Sequence, residues 1–171
     1  MASVSIINLP AHSALINVVK VQNWDFATAA KASIGGLLPF IEEHNLRPLL
    51  ASSPASVGLC SRKFIDGRPS LYAMGFIAPN ESDIPASVPR VSGDTSAEGL
   101  ALLTFPAGEW ATLKLKGSYA GIAGAFDTVV EFVKEDGREV DSERVFCERY
   151  LNDCRKVDTE DLETDILVPI K

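Results

Sequence analysis

The chain has 171 residues, 46% of them hydrophobic and 23% charged, which excludes a disordered or fibrous protein and suffices for one core or two small fused halves. At this length folding buries about 70% of the extended chain's surface, so neither a metal nor a disulfide is needed to hold the structure. Sixteen Lys and Arg stand against 23 Asp and Glu, and a formal charge of -7 repels phosphate backbones and anionic headgroups, which argues against direct nucleic-acid or membrane partners.

Residues 1–20 have no basic n-region, and Asn8, His12 and Asn17 interrupt the apolar runs, so neither a signal peptide nor a membrane span is expected. Rich in Val and Ile and punctuated by Pro10, residues 3–20 read as one or two strand segments with a bend. From Asn23, taken as an N-cap, Phe26, Ala30, Ile34, Leu37 and Ile41 recur at helical spacing, which predicts an amphipathic helix over residues 24–45. Gly35, Gly36 and Pro39 weaken its middle and leave room for a kink or a break. Two β-like stretches, residues 57–64 and 70–78, flank Asp66-Gly67 and predict a hairpin, the second alternating Tyr72, Met74 and Phe76 against Leu71, Ala73 and Gly75.

Residues 79–99 carry several prolines and little periodicity and read as a linker. Residues 100–116 read as strand with a turn at Pro106-Ala107, Ser118 caps a helix to about residue 136, and residues 143–151 and 164–170 read as strands. The order strand, helix, two strands thus occurs twice, over about 1–78 and 100–171. Pro10-Ala11 and Pro106-Ala107 mark matching points, and Tyr119 stands at the second helix start. Two such α+β units, one domain together, can share a mostly antiparallel sheet with both helices on one face and a groove between them, a natural small-ligand site.

Cys60, Cys147 and Cys154 form no CxxC or Cys/His spacing, and their odd number argues for packing thiols in a reducing cytoplasm. His12 and His44 lie far apart, and no nucleophile elbow, HExxH or P-loop occurs, so neither a metal nor a cofactor is expected. Gly117, Gly121 and Gly124 lack the dinucleotide pattern and suit close helix–sheet packing. In RVFCERYLND, alternation puts Phe146, Glu148 and Tyr150 on one strand face. If that face meets the groove, Glu148 is a desolvated carboxylate between aromatic rings, a site for a cationic aromatic ligand; if it meets solvent, Glu148 is a surface acid paired with Lys or Arg.

The run PAGEWATLKLKGSYAGIAGAFDTVVEFVKEDG, then CERYLND, then ETDILVPIK, closely resembles the GyrI-like (gyrase-inhibitor-like) effector-binding domain family, found in AraC- and MerR-type regulators and as stand-alone proteins. Four pieces carry the likeness in order over residues 104–171: PAG, G-x-Y, E-x-Y-L and T-D-I-x-V-P. Over residues 1–80 mainly the element order agrees. The resemblance implies the GyrI-like, or SOUL-like, fold: two strand-helix-strand-strand units related by a pseudo-twofold axis. It also implies a groove binding lipophilic cations, with Glu148 as the acidic anchor, Tyr150 and Tyr119 as aromatic neighbours and Trp24 in the place pseudo-equivalent to Tyr119. With Trp110 and Phe146 these make up the candidate ligand-binding set. Cys154 stands where the family usually has proline, and Leu167 where it often has an aromatic.

No helix-turn-helix segment fits beside the two units, so a DNA-binding regulator is not expected. The leading expectation is a cytoplasmic, monomeric or homodimeric binding module for cationic or aromatic small molecules, serving sensing or sequestration. The alternatives are a hydrolase of reactive cyclopropane-type genotoxins in which Glu148 activates water, and a protein-interaction module such as a gyrase inhibitor.

Overall fold

The computed structural model describes residues 3–23, 25–48, 56–60, 64–65, 68–78, 80–93 and 97–171. The Val- and Ile-rich start forms β1 (Ser5–Leu9) and β2 (His12–Lys20), and the bend falls at Pro10-Ala11, where the proline lacks a ladder donor. Helix α1 (Phe26–Glu43) begins later than the sequence suggests, because its cap is Asp25 rather than Asn23. The Asp25 carboxylate accepts from the Thr28 N–H at 2.9 Å and from its hydroxyl at 2.6 Å, while Asn23 adopts a left-handed turn at φ 49°. Helix α1 continues through Pro39; the carbonyl deprived of its donor belongs to Gly35, one turn earlier and exposed, where water can replace the missing N–H.

Strands β3 (Ser56–Cys60) and β6 (Leu71–Ala78) pair antiparallel, with the short ribbon β4 (Phe64–Ile65) and β5 (Arg68–Pro69) between them. The expected turn at Asp66-Gly67 lies outside the described residues. The proline-rich stretch after β6 holds more structure than its composition suggests: a 3-10 turn, Glu81–Asp83, and a strand, β7 (Arg90–Ser92), parallel to β8 (Gly99–Phe105). Arg90 accounts for much of this. Its guanidinium donates to the carbonyls of Ile84, Pro85 and Val88 at 3.0, 2.9 and 2.7 Å, and Ile84 and Val88 are buried beside α1.

The chain continues as β9 (Gly108–Lys116), a 3-10 turn at Tyr119–Gly121 capped by the Ser118 hydroxyl, α2 (Ile122–Glu135), β10 (Phe146–Tyr150) and β11 (Glu163–Pro169). Among the described residues nine strands make one sheet in the order β1-β9-β11-β10-β3-β6-β2-β8-β7. The order is symmetric about the β10–β3 pair: β9, β11 and β10 mirror β2, β6 and β3, which is the pseudo-twofold arrangement. The turns at Pro10-Ala11 and Pro106-Ala107 close no hairpins. Instead β1 crosses to pair with β9 and β8 crosses to pair with β2, so each half lends a strand to the other.

Directly opposed residues in a ladder share a sheet face. Leu15, Phe76 and Leu102 meet Leu37 and Ile41 of α1, while Ala111, Leu113, Ile166 and Val168 meet Ala125, Val129 and Val133 of α2. Registers through Glu148 join these two sets on one face, so both helices lie on the same side of the sheet. The other face packs a separate core that includes Ile16, Val57, Leu103, Trp110 and Leu167.

Candidate functional site

On the helix side of the sheet, Glu148 of β10 stands opposite Gly58 of β3, and Gly58 stands opposite Met74 of β6. The operation that exchanges β10 with β3 exchanges Glu148 with Gly58. One half therefore supplies a carboxylate and the other bare backbone.

Glu148 is only 4% exposed. The Tyr72 hydroxyl donates to its Oε2 at 3.2 Å, the Tyr150 hydroxyl donates to the same oxygen, and the two hydroxyl oxygens lie 3.0 Å apart. The rings come from different halves, Tyr72 from β6 and Tyr150 from β10. Burial raises the Glu148 carboxyl above its ordinary range, and the hydrogen bonds from Tyr150 and Tyr72 oppose the rise without cancelling it. Burial, and then the neighbouring Glu148, push Tyr150 far up, so it remains a donor at neutral pH.

Each phenol has an aromatic neighbour from the start of a helical segment. Phe26 meets Tyr72 edge-on at 5.8 Å, and Tyr119 meets Tyr150 edge-on at 5.3 Å. Burial, with Cys154 beside it, pushes the Tyr119 hydroxyl up to about 12. Phe146 shares the face of Glu148 but stacks on Phe126 of α2 at 5.5 Å, within that helix's apolar cluster.

Two of the expected residues do not join this group. Trp110 sits on the opposite face, 1% exposed, between Ile7 and Pro169 in neighbouring strands and against Phe105. The reason is strand parity: Trp110 is three residues from Leu113, whose side chain faces α2, so alternation turns the indole away. Trp24 lies outside the described residues; Phe26 is the aromatic seen at the start of α1. Of the thiols, Cys147 is buried on the far face, where burial raises its pKa, whereas Cys154 is exposed rather than packed.

Sequence reasoning missed Tyr72 and Gly58 as site residues. The alternation of Tyr72, Met74 and Phe76 was visible, but only the strand order, with β3 between β6 and β10, brings that face to Glu148. A separate cavity of about 630 Å³, lined in part by Pro106, Gly108, Asp141, Arg144 and Lys171, includes none of the candidate ligand residues.

A carboxyl group held by two phenols in a low-dielectric setting, beside aromatic faces, can take up a cation or hold a proton. A duplicated α+β sheet with two helices on one face and this acid on its pseudo-twofold defines a class, the small-molecule-binding domains built from two fused halves. Within it the chain belongs to the GyrI-like family: a family model described as a GyrI-like small molecule binding domain matches residues 21–171, reaching well into the first half.

Solved structures share the fold. The C-terminal domain of EcmrR has a TM-score of 0.70 at 14% identity, covering 100% of this chain and 98% of that one. SAV2435, solved bound to tetraphenylphosphonium, has a TM-score of 0.61 at 15% identity, covering 99% and 94%. A hydrolase from Listeria innocua has a TM-score of 0.61 at 14% identity, covering 98% and 91%. No curated protein matches the chain. No helix among the described residues is long and apolar enough to cross a membrane.

Proposed function

We propose that the groove binds a lipophilic organic cation of delocalised charge, with Glu148 as its counter-ion, and that the chain serves to sense or sequester such compounds. The observation that carries this reading is the burial of Glu148 against two neutral phenols. A cation entering from the groove gains a Coulombic attraction to this carboxylate that a neutral compound cannot. The edge-on pairs Phe26–Tyr72 and Tyr119–Tyr150 add aromatic surface on both sides of the anchor. The tetraphenylphosphonium held by SAV2435 is a ligand of this chemical class on the same fold.

Hydrolysis usually divides acid and base roles between two groups. Among the described residues Glu148 is the only buried carboxylate, which favours binding over hydrolysis. The test is calorimetry with methyltriphenylphosphonium and its neutral near-isostere, triphenylphosphine oxide. The cation is expected to bind more tightly by about 1 to 3 kcal/mol, roughly ten- to hundredfold, because only the cation is attracted to the charge of the buried carboxylate. Glu148→Gln should remove most of that difference. A cation preference that survives in the Gln variant would show that Glu148 is not the anchor.

A further inference from the structure

We propose that Gly58 is a positioning residue for the anchoring carboxylate: the bare backbone at this point of β3 lets the Tyr72 and Tyr150 hydroxyls close on Glu148, and so sets the groove's preference for cations. The functional half of this inference rests on the cation-binding reading above; the structural half rests on geometry alone.

A Cβ built on Gly58 would lie 2.7 Å from Glu148 Oε2 and 2.9 Å from the Tyr150 hydroxyl oxygen, and closer still to the Tyr72 hydroxyl. These are the three oxygens of the hydrogen-bonded cluster, and all are nearer than a Cβ tolerates. Any side chain at position 58 therefore pushes at least one of them away. The backbone does not ask for glycine here. The left-handed glycines among the described residues are Gly93, Gly99, Gly117 and Gly137, and Gly58 is not one of them.

Nor does the strand ask for it. β3 is a central strand, flanked by β10 and β6, where a β-branched residue would pack better and glycine weakens the ladder. The remaining reason for glycine is space for the cluster. Symmetry makes the same point, since Gly58 is the pseudo-twofold mate of Glu148. A side chain in each half would put two groups into the volume that one carboxyl and two phenol oxygens fill, so the acid of one half depends on the emptiness of the other.

The experiment compares wild type, Gly58→Ala and the double variant Gly58→Ala/Tyr72→Phe by two readouts. The first is the Glu148 carboxyl titration followed by carbon-13 NMR, assigned with Glu148→Gln. The second is the affinity ratio of methyltriphenylphosphonium to triphenylphosphine oxide. In Gly58→Ala the carboxyl midpoint should move, because the phenol hydrogen bonds that stabilise its charge are broken. The affinity ratio should fall from ten- to hundredfold to below about threefold, while the neutral compound's affinity changes by less than about twofold.

A merely structural glycine would weaken both compounds in proportion and leave the ratio and midpoint in place, which would overturn the inference. If Gly58→Ala does not fold, the double variant decides: removing the Tyr72 hydroxyl takes away the closest obstacle and should restore folding, and failure to restore it overturns the inference. If wild type itself shows no cation preference, the cation-binding reading falls. The carboxyl titration then still settles whether Gly58 positions Glu148.

Discussion

Glu148 ties the candidate site to the stability of the fold through its proton. Its folded pKa is raised, chiefly by burial. As pH climbs past the unfolded value, near the ordinary 4.5, the unfolded chain loses this proton while the folded one keeps it. The folded state then binds more protons than the unfolded state, and stability falls with pH until the folded group ionises too. Below the unfolded value both states are protonated and the effect vanishes. Glu148→Gln cannot ionise, so its stability relative to wild type should grow as pH rises from 4.5 through the folded pKa. Urea unfolding of both proteins from about pH 4 to pH 8 checks this, and parallel curves would contradict it. Much of the residue-level reading was legible: the E-x-Y motif and strand alternation put Glu148 and Tyr150 on one face. Tyr72 and Gly58 were not legible, because they become neighbours of Glu148 only when β3 slots between β6 and β10, and no local period encodes that pairing.

The two helices sit alike on the sheet but are fastened differently. Helix α2 packs through Ala125, Val129 and Val133, an apolar stripe with the spacing that sequence periodicity shows well. Helix α1 buries Ala29, Ser33, Leu37 and Ile41, so its true stripe passes through a serine, which periodicity counts as a surface position. Ser33 is fully buried because its hydroxyl joins two opposed residues of the ladder: it accepts from the Met74 N–H at 2.7 Å and donates to the Asn17 carbonyl. The Asn17 amide returns a bond to the Ser33 carbonyl at 2.9 Å. These contacts fix α1 over the β2–β6 pair, next to Met74, which stands opposite Gly58. Ser33→Ala leaves a buried N–H and a buried carbonyl without this partner and should cost about 1 to 3 kcal/mol in urea unfolding. An unchanged midpoint would mean that water replaces the hydroxyl. The signal was hidden because a buried serine is explained only by its partners, which come from strands 16 and 41 residues away.

At the scale of the whole molecule, the repeated element order made two fused units readable, but not the exchange that locks them together. Both Pro-Ala turns were visible as turns; that neither closes a hairpin follows from the long-range pairings β1–β9 and β8–β2, which local chemistry does not specify. Trp110 stands where these exchanged strands meet. Ile7 of β1 is opposite it on one side and Pro169 of β11 on the other, Phe105 of β8 lies 6.3 Å away, and the Arg144 guanidinium covers its ring at 4.9 Å. The indole thus holds the seam between the halves on the face away from Glu148. Among the described residues its Nε1 has no hydrogen-bond partner, so Trp110→Phe removes chiefly packed area. The variant should lose about 1 to 3 kcal/mol of stability, as expected for shrinking a fully buried ring. Its affinity for methyltriphenylphosphonium should stay within about twofold of wild type, and so should the ratio to triphenylphosphine oxide, because the sheet separates the indole from the groove. Unfolding and calorimetry on the same preparation separate the two effects. A cation affinity that falls while stability holds would place Trp110 at the ligand and refute the assignment of the two faces to separate tasks, one core joining the halves and the other side carrying the site.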